Sequence, residues 1–220
     1  MYDLTILKSA KLSLIIQIIT CIILFIGLII PIKKHLILKE ILYIELIVQI
    51  VEITFYVWLI YNFTSLEYDI TYVRYFDWVI STPFMLLIII FFMEYIKNNN
   101  VRAIDIIIND YFQLLLIILS NFFMLLFGFL GEIKYLNKYI SITFGFIFFI
   151  FTYYLIIKYY LKNNLFNFFI ILINAIIWSI YGIAFLYSFT IKNNMYNILD
   201  IFSKNITAIF IFIYTLMFYL

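Results

Sequence analysis

Cysteine, proline and glycine are nearly missing from this chain: one, two and five of them in 220 residues, with a single histidine and only 12% charged side chains. Cys21, alone within an apolar run, forms no internal disulfide and no thiolate metal site, and reads as a small packing residue. His35 lies between two apolar runs with no second imidazole, so a metal centre has no constellation of ligands behind it. So little glycine and proline leaves no room for a flexible linker or a disordered tail. No phosphate-binding loop, nucleophile triad or basic nucleic-acid surface is visible, so neither an enzyme nor a nucleic-acid binder is expected.

What the chain has instead is apolar bulk. Hydrophobic residues make up 67% and aromatic residues 22%, far outside the range of soluble domains. The expectation is an integral, multi-pass membrane protein whose first partner is the lipid bilayer. Its apolar runs are continuous rather than alternating, which excludes a β-barrel and leaves helices. Cutting at polar clusters, with ~20 apolar residues per span, predicts seven helices over about 8–31, 37–63, 70–96, 102–130, 134–161, 165–191 and 195–220. The connections fall at PIKKH (31–35), SLEYD (65–69), KNNNVR (97–102), GEIKY (131–135), LKNNLFN (161–167) and KNN (192–194). All are short, so successive helices are antiparallel neighbours in one all-α bundle, a single domain over 1–220. The first span starts too early for a separate signal region and reads as retained.

Orientation follows from the cations. With the amino terminus outside, the cytoplasmic side holds Lys33, Lys34, Lys39, Lys97, Arg102, Lys158 and Lys162, against Lys8, Lys11, Lys134, Lys138 and Lys192 outside, so an extracellular N-terminus is expected. Arg74 and Lys204 belong to no loop. A charge at membrane depth costs several kcal/mol unless paired, and each has an acid at helical spacing: Asp77 three residues after Arg74, Asp200 four before Lys204. The alternative to a functional site is an ion network that only fixes helix packing. A buried lysine also has a second chemistry, because a desolvated amine condenses with aldehydes.

These residues carry a resemblance. RYFDWVISTP (74–83) resembles the third-helix signature of the microbial (type 1) rhodopsins, and DIFSK (200–204) their seventh-helix Asp-x-x-x-Lys. WSIY (178–181) is similar to the Trp-x-x-Tyr of their sixth helix, and MLLFGFLG (124–131) to the Met-x-x-x-Gly of the fourth. The four motifs stand in family order across essentially the whole chain. The resemblance implies that Lys204 binds all-trans retinal as a protonated Schiff base, with Asp77 and Asp200 as counterions. It further implies that Trp78, Trp178 and Tyr181 sandwich the polyene, that Met124 and Gly128 border its ring, and that Thr82 belongs to the same pocket. A protonated iminium needs adjacent negative charge, and Asp77 plus Asp200 against Arg74 plus Lys204 sums to zero. Arg74, one turn from Asp77, is expected to orient the counterions and close the outer side.

Departures from the family pattern bear on function. Outward proton pumps of the family carry an acid eleven residues after the third-helix counterion, where this chain has Ile88. The paired glutamates associated with proton release are also missing, replaced by Lys192 and asparagines. In the second span, Glu45, Gln49, Glu52 and Tyr56 fall at i, i+4, i+7 and i+11 on one face. Glu45 lies toward the cytoplasm, and Glu52 is level with the Schiff base. The first span adds Ser13, Gln17 and Thr20, and the seventh Ser203, Asn205 and Thr207. Together they suit a hydrated path whose acids attract cations; hydrogen bonding between helices is the alternative. A row of glutamates on this helix resembles the channelrhodopsins, and viral rhodopsins of the giant-virus type are the subgroup most similar. Thr82 and Asn121 are expected to join the third and fourth spans by a hydrogen bond that bears on gating.

The reading is therefore a retinal photoreceptor acting as a light-gated channel for monovalent cations or protons, in which proton transfer to Asp77 opens the path along the second span. The alternatives are an outward proton pump with Glu45 as donor, or a sensor, which the end of the chain at Leu220 disfavours. Asp105 and Asp110 face either a cytoplasmic vestibule or a neighbouring subunit of a homo-oligomer. The pattern Asn62-Phe-Thr64 is a formal glycosylation site, yet Asn205-Ile-Thr207 repeats it inside a span.

Overall fold

The computed structural model describes residues 3–31, 35–63, 70–162 and 164–217. Lys33, Lys34, the SLEYD connection and Thr64 of the formal glycosylation pattern lie outside these residues. The described helices are α1 Leu4–Ile29, α2 Leu36–Asn62, α3 Arg74–Lys97 with a 3₁₀ turn Ile70–Val73 before it, α4 Ala103–Asn109, α5 Tyr111–Glu132, α6 Lys138–Tyr160, α7 Leu165–Ala184, α8 Phe189–Asp200 and α9 Ile206–Leu216. A single π-helical turn, Ile201–Asn205, joins α8 to α9. α4 and α5 form the fourth span and α8, the π turn and α9 the seventh, giving a seven-helix bundle. Among the described residues six helical stretches are long and apolar enough to cross a membrane, and α2 has 27 residues.

Neighbours in sequence are neighbours in space, and α1 packs on both α8 and α9 to close the ring. α3 also touches α6 and α7 and is the most buried of the membrane-length helices. The rest turn isoleucine and phenylalanine outward, for example Ile15, Ile22 and Phe25 of α1, as lipid contact requires. Bundle faces are named here by the chain: the N-terminal face carries the start of α1, and the opposite face the start of α2.

Several boundaries depart from the polar-cluster cuts. Asp3 caps α1 by accepting from Thr5 N at 2.9 Å, so the first span starts before residue 8. The fourth span is interrupted at Asp110, where the backbone leaves helical geometry (φ −113°, ψ 21°). Its N-terminal end is held by α2: Glu40 accepts from Arg102 Nε at 2.5 Å and Ala103 N at 2.7 Å. The fifth begins only at Lys138, after Lys134 in the left-handed region and an Asn137 cap. The main correction concerns the last connection. α7 ends at Ala184, the chain turns through 185–188, and Lys192-Asn193-Asn194 lies inside α8 rather than in a loop. These polar side chains are paired within the bundle. Lys192 forms a buried ion pair with Glu132, Asn193 donates to Thr71 Oγ1 at 2.9 Å, and Asn194 to Thr5 Oγ1 at 2.9 Å.

Candidate functional site

Lys204 sits on the π turn, its side chain 2% exposed, and meets three carboxylates. Glu52 of α2 pairs with its Nζ directly, Asp77 Oδ2 of α3 lies at 3.0 Å and Asp200 Oδ1 at 3.6 Å. A lysine so enclosed persists only with acids around it. The expected charge balance of two acids against two bases therefore needs correction. Three buried carboxylates, Glu52, Asp77 and Asp200, face Arg74 and Lys204. Spacing along α2 placed Glu52 on the polar stripe, but its level and rotation against the π turn put it on the lysine itself.

Asp200 is the most heavily solvated of the three by protein donors. Tyr56 gives a hydrogen bond to Oδ2 at 2.7 Å, Tyr181 one to Oδ1 at 2.8 Å, and Arg74 stands at 3.5 Å. Arg74 is fully buried and turned toward the N-terminal face, where it donates to Asn197 Oδ1 at 2.5 Å and Asn193 Oδ1 at 3.2 Å, with its guanidinium 5.2 Å from the Phe55 ring. Asn197 passes the connection to α1, donating to Ser9 Oγ at 2.8 Å and Ile6 O at 3.2 Å. Asn193 and Asn197 thus take part in the site, although Asn193 reads as part of a connection and Asn197 as an ordinary residue of the seventh span. The signal available was their spacing: 193, 197, 200 and 204 lie on one helical face.

On the other side of Lys204 the contacts thin out. Gln17 of α1 donates to Glu52 Oε1 at 3.3 Å and to Ser13 Oγ at 3.0 Å. Glu45 Oε2, both polar atoms of Gln49, Gln17 Oε1 and Asn205 Oδ1 are buried and have no protein partner. Asn205 Nδ2 reaches only the Asp200 carbonyl, at 3.4 Å. Thr20 and Thr207 bond to carbonyls of their own helices. Glu45 and Lys204 line one narrow space together with Met85, Ile89, Asn174, Ser203 and Thr207. Ile88 is apolar core.

A cavity of ≈ 790 Å³, its mouth included, runs from Lys204 and Ser203 to the α5–α6 pair. Trp78 and Thr82 of α3, Met124 and Gly128 of α5, and Trp178 and Tyr181 of α7 all line it. Trp78 meets Tyr181 and Tyr196 edge-on, with centroids at 5.5 and 5.0 Å, so its plane is locked by T-shaped packing. Two glycines keep the space open. A Cβ on Gly182 would stand 2.7 Å from the Phe146 ring, and one on Gly128 2.8 Å from the Tyr75 hydroxyl. Asn121 donates to Thr82 Oγ1 at 2.7 Å, and Thr82 in turn to Trp78 O at 2.7 Å, tying α5 to α3 beside the cavity. Asp105 is exposed at the start of α4, and Asp110 marks the helix break.

Comparison with known proteins bears on the family and the fold. Residues 8–218 match the family model described as bacteriorhodopsin-like protein. The crystal structure of the viral rhodopsin OLPVRII superposes with a TM-score of 0.87 at 27% identity, covering 98% of this chain and 99% of that one. Acetabularia rhodopsin I superposes at 0.78 with 16% identity (98% and 95% covered), and the blue light-absorbing proteorhodopsin from Med12 at 0.74 with 18% (96% of each); these two speak for the fold alone. No curated protein matches in sequence.

Proposed function

Because this chain belongs to the bacteriorhodopsin-like family of retinal-binding microbial rhodopsins, we propose that it is a light-gated cation channel in which Lys204 holds the chromophore and the polar column between α1, α2 and the seventh span carries ions. The cavity suits an elongated apolar ligand: it is walled by Trp78, Trp178 and Tyr181, kept open by Gly128 and Gly182, and reaches Lys204. All-trans retinal bound there supplies a light-driven change of shape next to the lysine nitrogen. The protein supplies the charges. Asp77 Oδ2, 3.0 Å from Nζ, is placed to accept a proton from that nitrogen, while Asp200 stays anionic under Tyr56, Tyr181 and Arg74. Neutralising Asp77 removes one of the three carboxylates that hold Lys204, and the Arg74–Asn197–Ser9 connection to α1 is the constriction that loosens. With the N-terminal face outside, this is the outer gate, and Glu45 lies on the cytoplasmic side.

The observation that carries the channel reading is the run of buried polar atoms without protein partners, on Gln17, Gln49, Glu45 and Asn205, along the α1, α2 and seventh-span seam. Such atoms are satisfied by water, and a wetted seam with carboxylates selects cations. One observation favours a pump instead: Glu45 Oε2 has no hydrogen-bond partner among the described residues, and Glu45 lines one small space with Lys204, so it could stand in as a proton donor for the acid missing at Ile88. Light-evoked current under voltage clamp, in cells supplied with all-trans retinal, separates the two. A reversal potential that tracks the sodium or potassium gradient is the channel outcome; an always outward, gradient-resistant current overturns it in favour of the pump. Lys204→Ala abolishes visible absorbance on either reading.

A further inference from the structure

Between Asp77 and Glu94, α3 offers no acid, and the buried polar side chains on that side of Lys204 include a set between α6 and α7. Tyr153 of α6 and Asn174 of α7 are each 7% exposed, and the Tyr153 hydroxyl donates to Asn174 Oδ1. Asn174 also walls the narrow space that holds Glu45, Ser203 and Lys204, which is too tight for a water molecule. The Tyr153 ring meets Trp178 edge-on, with centroids at 6.4 Å, and Trp178 lines the large cavity one turn along α7 from Asn174. Tyr153 is thus joined to a wall of that cavity and to a wall of the space at Lys204.

Two turns nearer the face opposite the N-terminal one, the same two helices carry a second polar pair. Asn167 of α7, seven residues before Asn174, is fully buried. Its Nδ2 reaches Met93 O at 3.4 Å, and its Oδ1 has no hydrogen-bond partner among the described residues. Tyr160 of α6, seven residues after Tyr153, is buried with the Lys97 ammonium 5.8 Å from its ring centroid. A buried amide oxygen of this kind is completed by water. Ile156 and Ile171, buried in the turns between the two pairs, keep the column dry while it is shut. α7 is the least buried of the membrane-length helices, so parting it from α6 gives up little apolar contact.

We propose that Tyr153 and Asn174 form a gate, separate from the α1–α2 seam, on a proton-return route between α6 and α7 that ends at the Lys204 nitrogen. The inference rests on Lys204 bearing retinal and giving its proton to Asp77. Once neutral, that nitrogen must take a proton back before the dark state returns. A change of ligand shape presses on Trp178 and, through the Tyr153 ring, on the hydrogen bond that shuts the gate. Water admitted past Asn174 then supplies the proton: an N–H bond forms as an O–H bond breaks. The hydroxide left behind is neutralised from solvent along the Asn167–Tyr160 end of the column. Tyr153 and Asn174 act through this water and are positioning residues.

The test is flash photolysis of the purified pigment, following decay of the short-wavelength product with the neutral nitrogen, together with dark bleaching by hydroxylamine, which must reach the same nitrogen. Tyr153→Phe keeps the ring and removes the donor, and is expected to speed both by about 3- to 5-fold, the worth of one membrane hydrogen bond. Asn167→Leu leaves the gate intact and makes the far end of the column apolar, and is expected to slow the decay by a similar factor. Opposite signs exclude a general loosening of the bundle. Decay at the wild-type rate in both variants, as return through Glu45 alone would give, or a change of the same sign in both, overturns the proposal. Asn167→Leu alone decides the matter where Tyr153→Phe forms no pigment. A Lys204→Ala protein that kept its colour would sink the chromophore assignment instead, and a pigment without photocurrent would sink the channel reading while leaving this test intact.

Discussion

Glu132→Gln should cost this protein far more than a surface charge would. Glu132 ends α5 and its carboxylate pairs with Lys192 in the first turn of α8, with side chains 5% and 8% exposed. Removing one partner of a buried ion pair costs about 3–5 kcal/mol, whereas replacing both by apolar groups of similar size is close to neutral. The lysine stem allows some retreat of the ammonium toward the headgroups, so the lower end, about 3 kcal/mol, is the working figure. That is roughly a 150-fold change in an equilibrium constant, or a midpoint lowered by about 6–12 °C for a chain of this size. Thermal loss of visible absorbance, compared across wild type, Glu132→Gln, Lys192→Met and the double variant, measures it. The singles should each melt early and the double should recover most of the loss. Penalties that simply add in the double variant, or singles that melt with the wild type, would refute the coupling.

Thr82→Ala removes the acceptor for Asn121 and should leave the pigment coloured; on the proposed channel function it should change the closing rate about 3- to 5-fold, slower or faster, the rate equivalent of a membrane hydrogen bond of about 0.6–1 kcal/mol, and closing kinetics indistinguishable from wild type would remove the bond from gating. Gly182→Ala drives a methyl against the Phe146 ring, an overpacking that costs about 1–3 kcal/mol, and should slow pigment formation from added retinal. Gly145→Ala, whose Cβ would sit at ordinary contact distance from Met124 O, should form pigment at the wild-type rate, and equal behaviour of the two variants would show that the Gly182 clearance is not used.

Much of the fold was legible because the bilayer imposes a length on every apolar run, and Arg74, Asp77, Asp200 and Lys204 stood out as charges at helical spacing inside such runs. The failures share one cause. Polar residues read as loops, and here Lys192 and Asn193 are paired inside the bundle while Asn194 bonds to α1 at its edge. Composition cannot distinguish a polar residue facing water from one facing a partner on α1, α3 or α5. Glu52 shows the same limit at the site: its spacing from Glu45 placed it on the polar stripe, but contact with Lys204 depends on how α2 and the seventh span are rotated against each other.

That rotation has an identifiable origin. The π turn Ile201–Asn205 takes about one residue more than an α-helical turn, so it acts as a phase offset between α8 and α9. Ala208, Ile211 and Thr215 face the interior on α9 as Asn193, Asn197 and Asp200 do on α8. Winding the same residues as an uninterrupted α-helix would advance everything beyond the turn by about 100°, swinging Ala208 and Ile211 off the interior face and Phe210 inward, whereas deleting one residue along with the π turn would leave those faces nearly unchanged. The seventh span is in this sense two helices keyed to different neighbours, with Lys204 on the coupling between them.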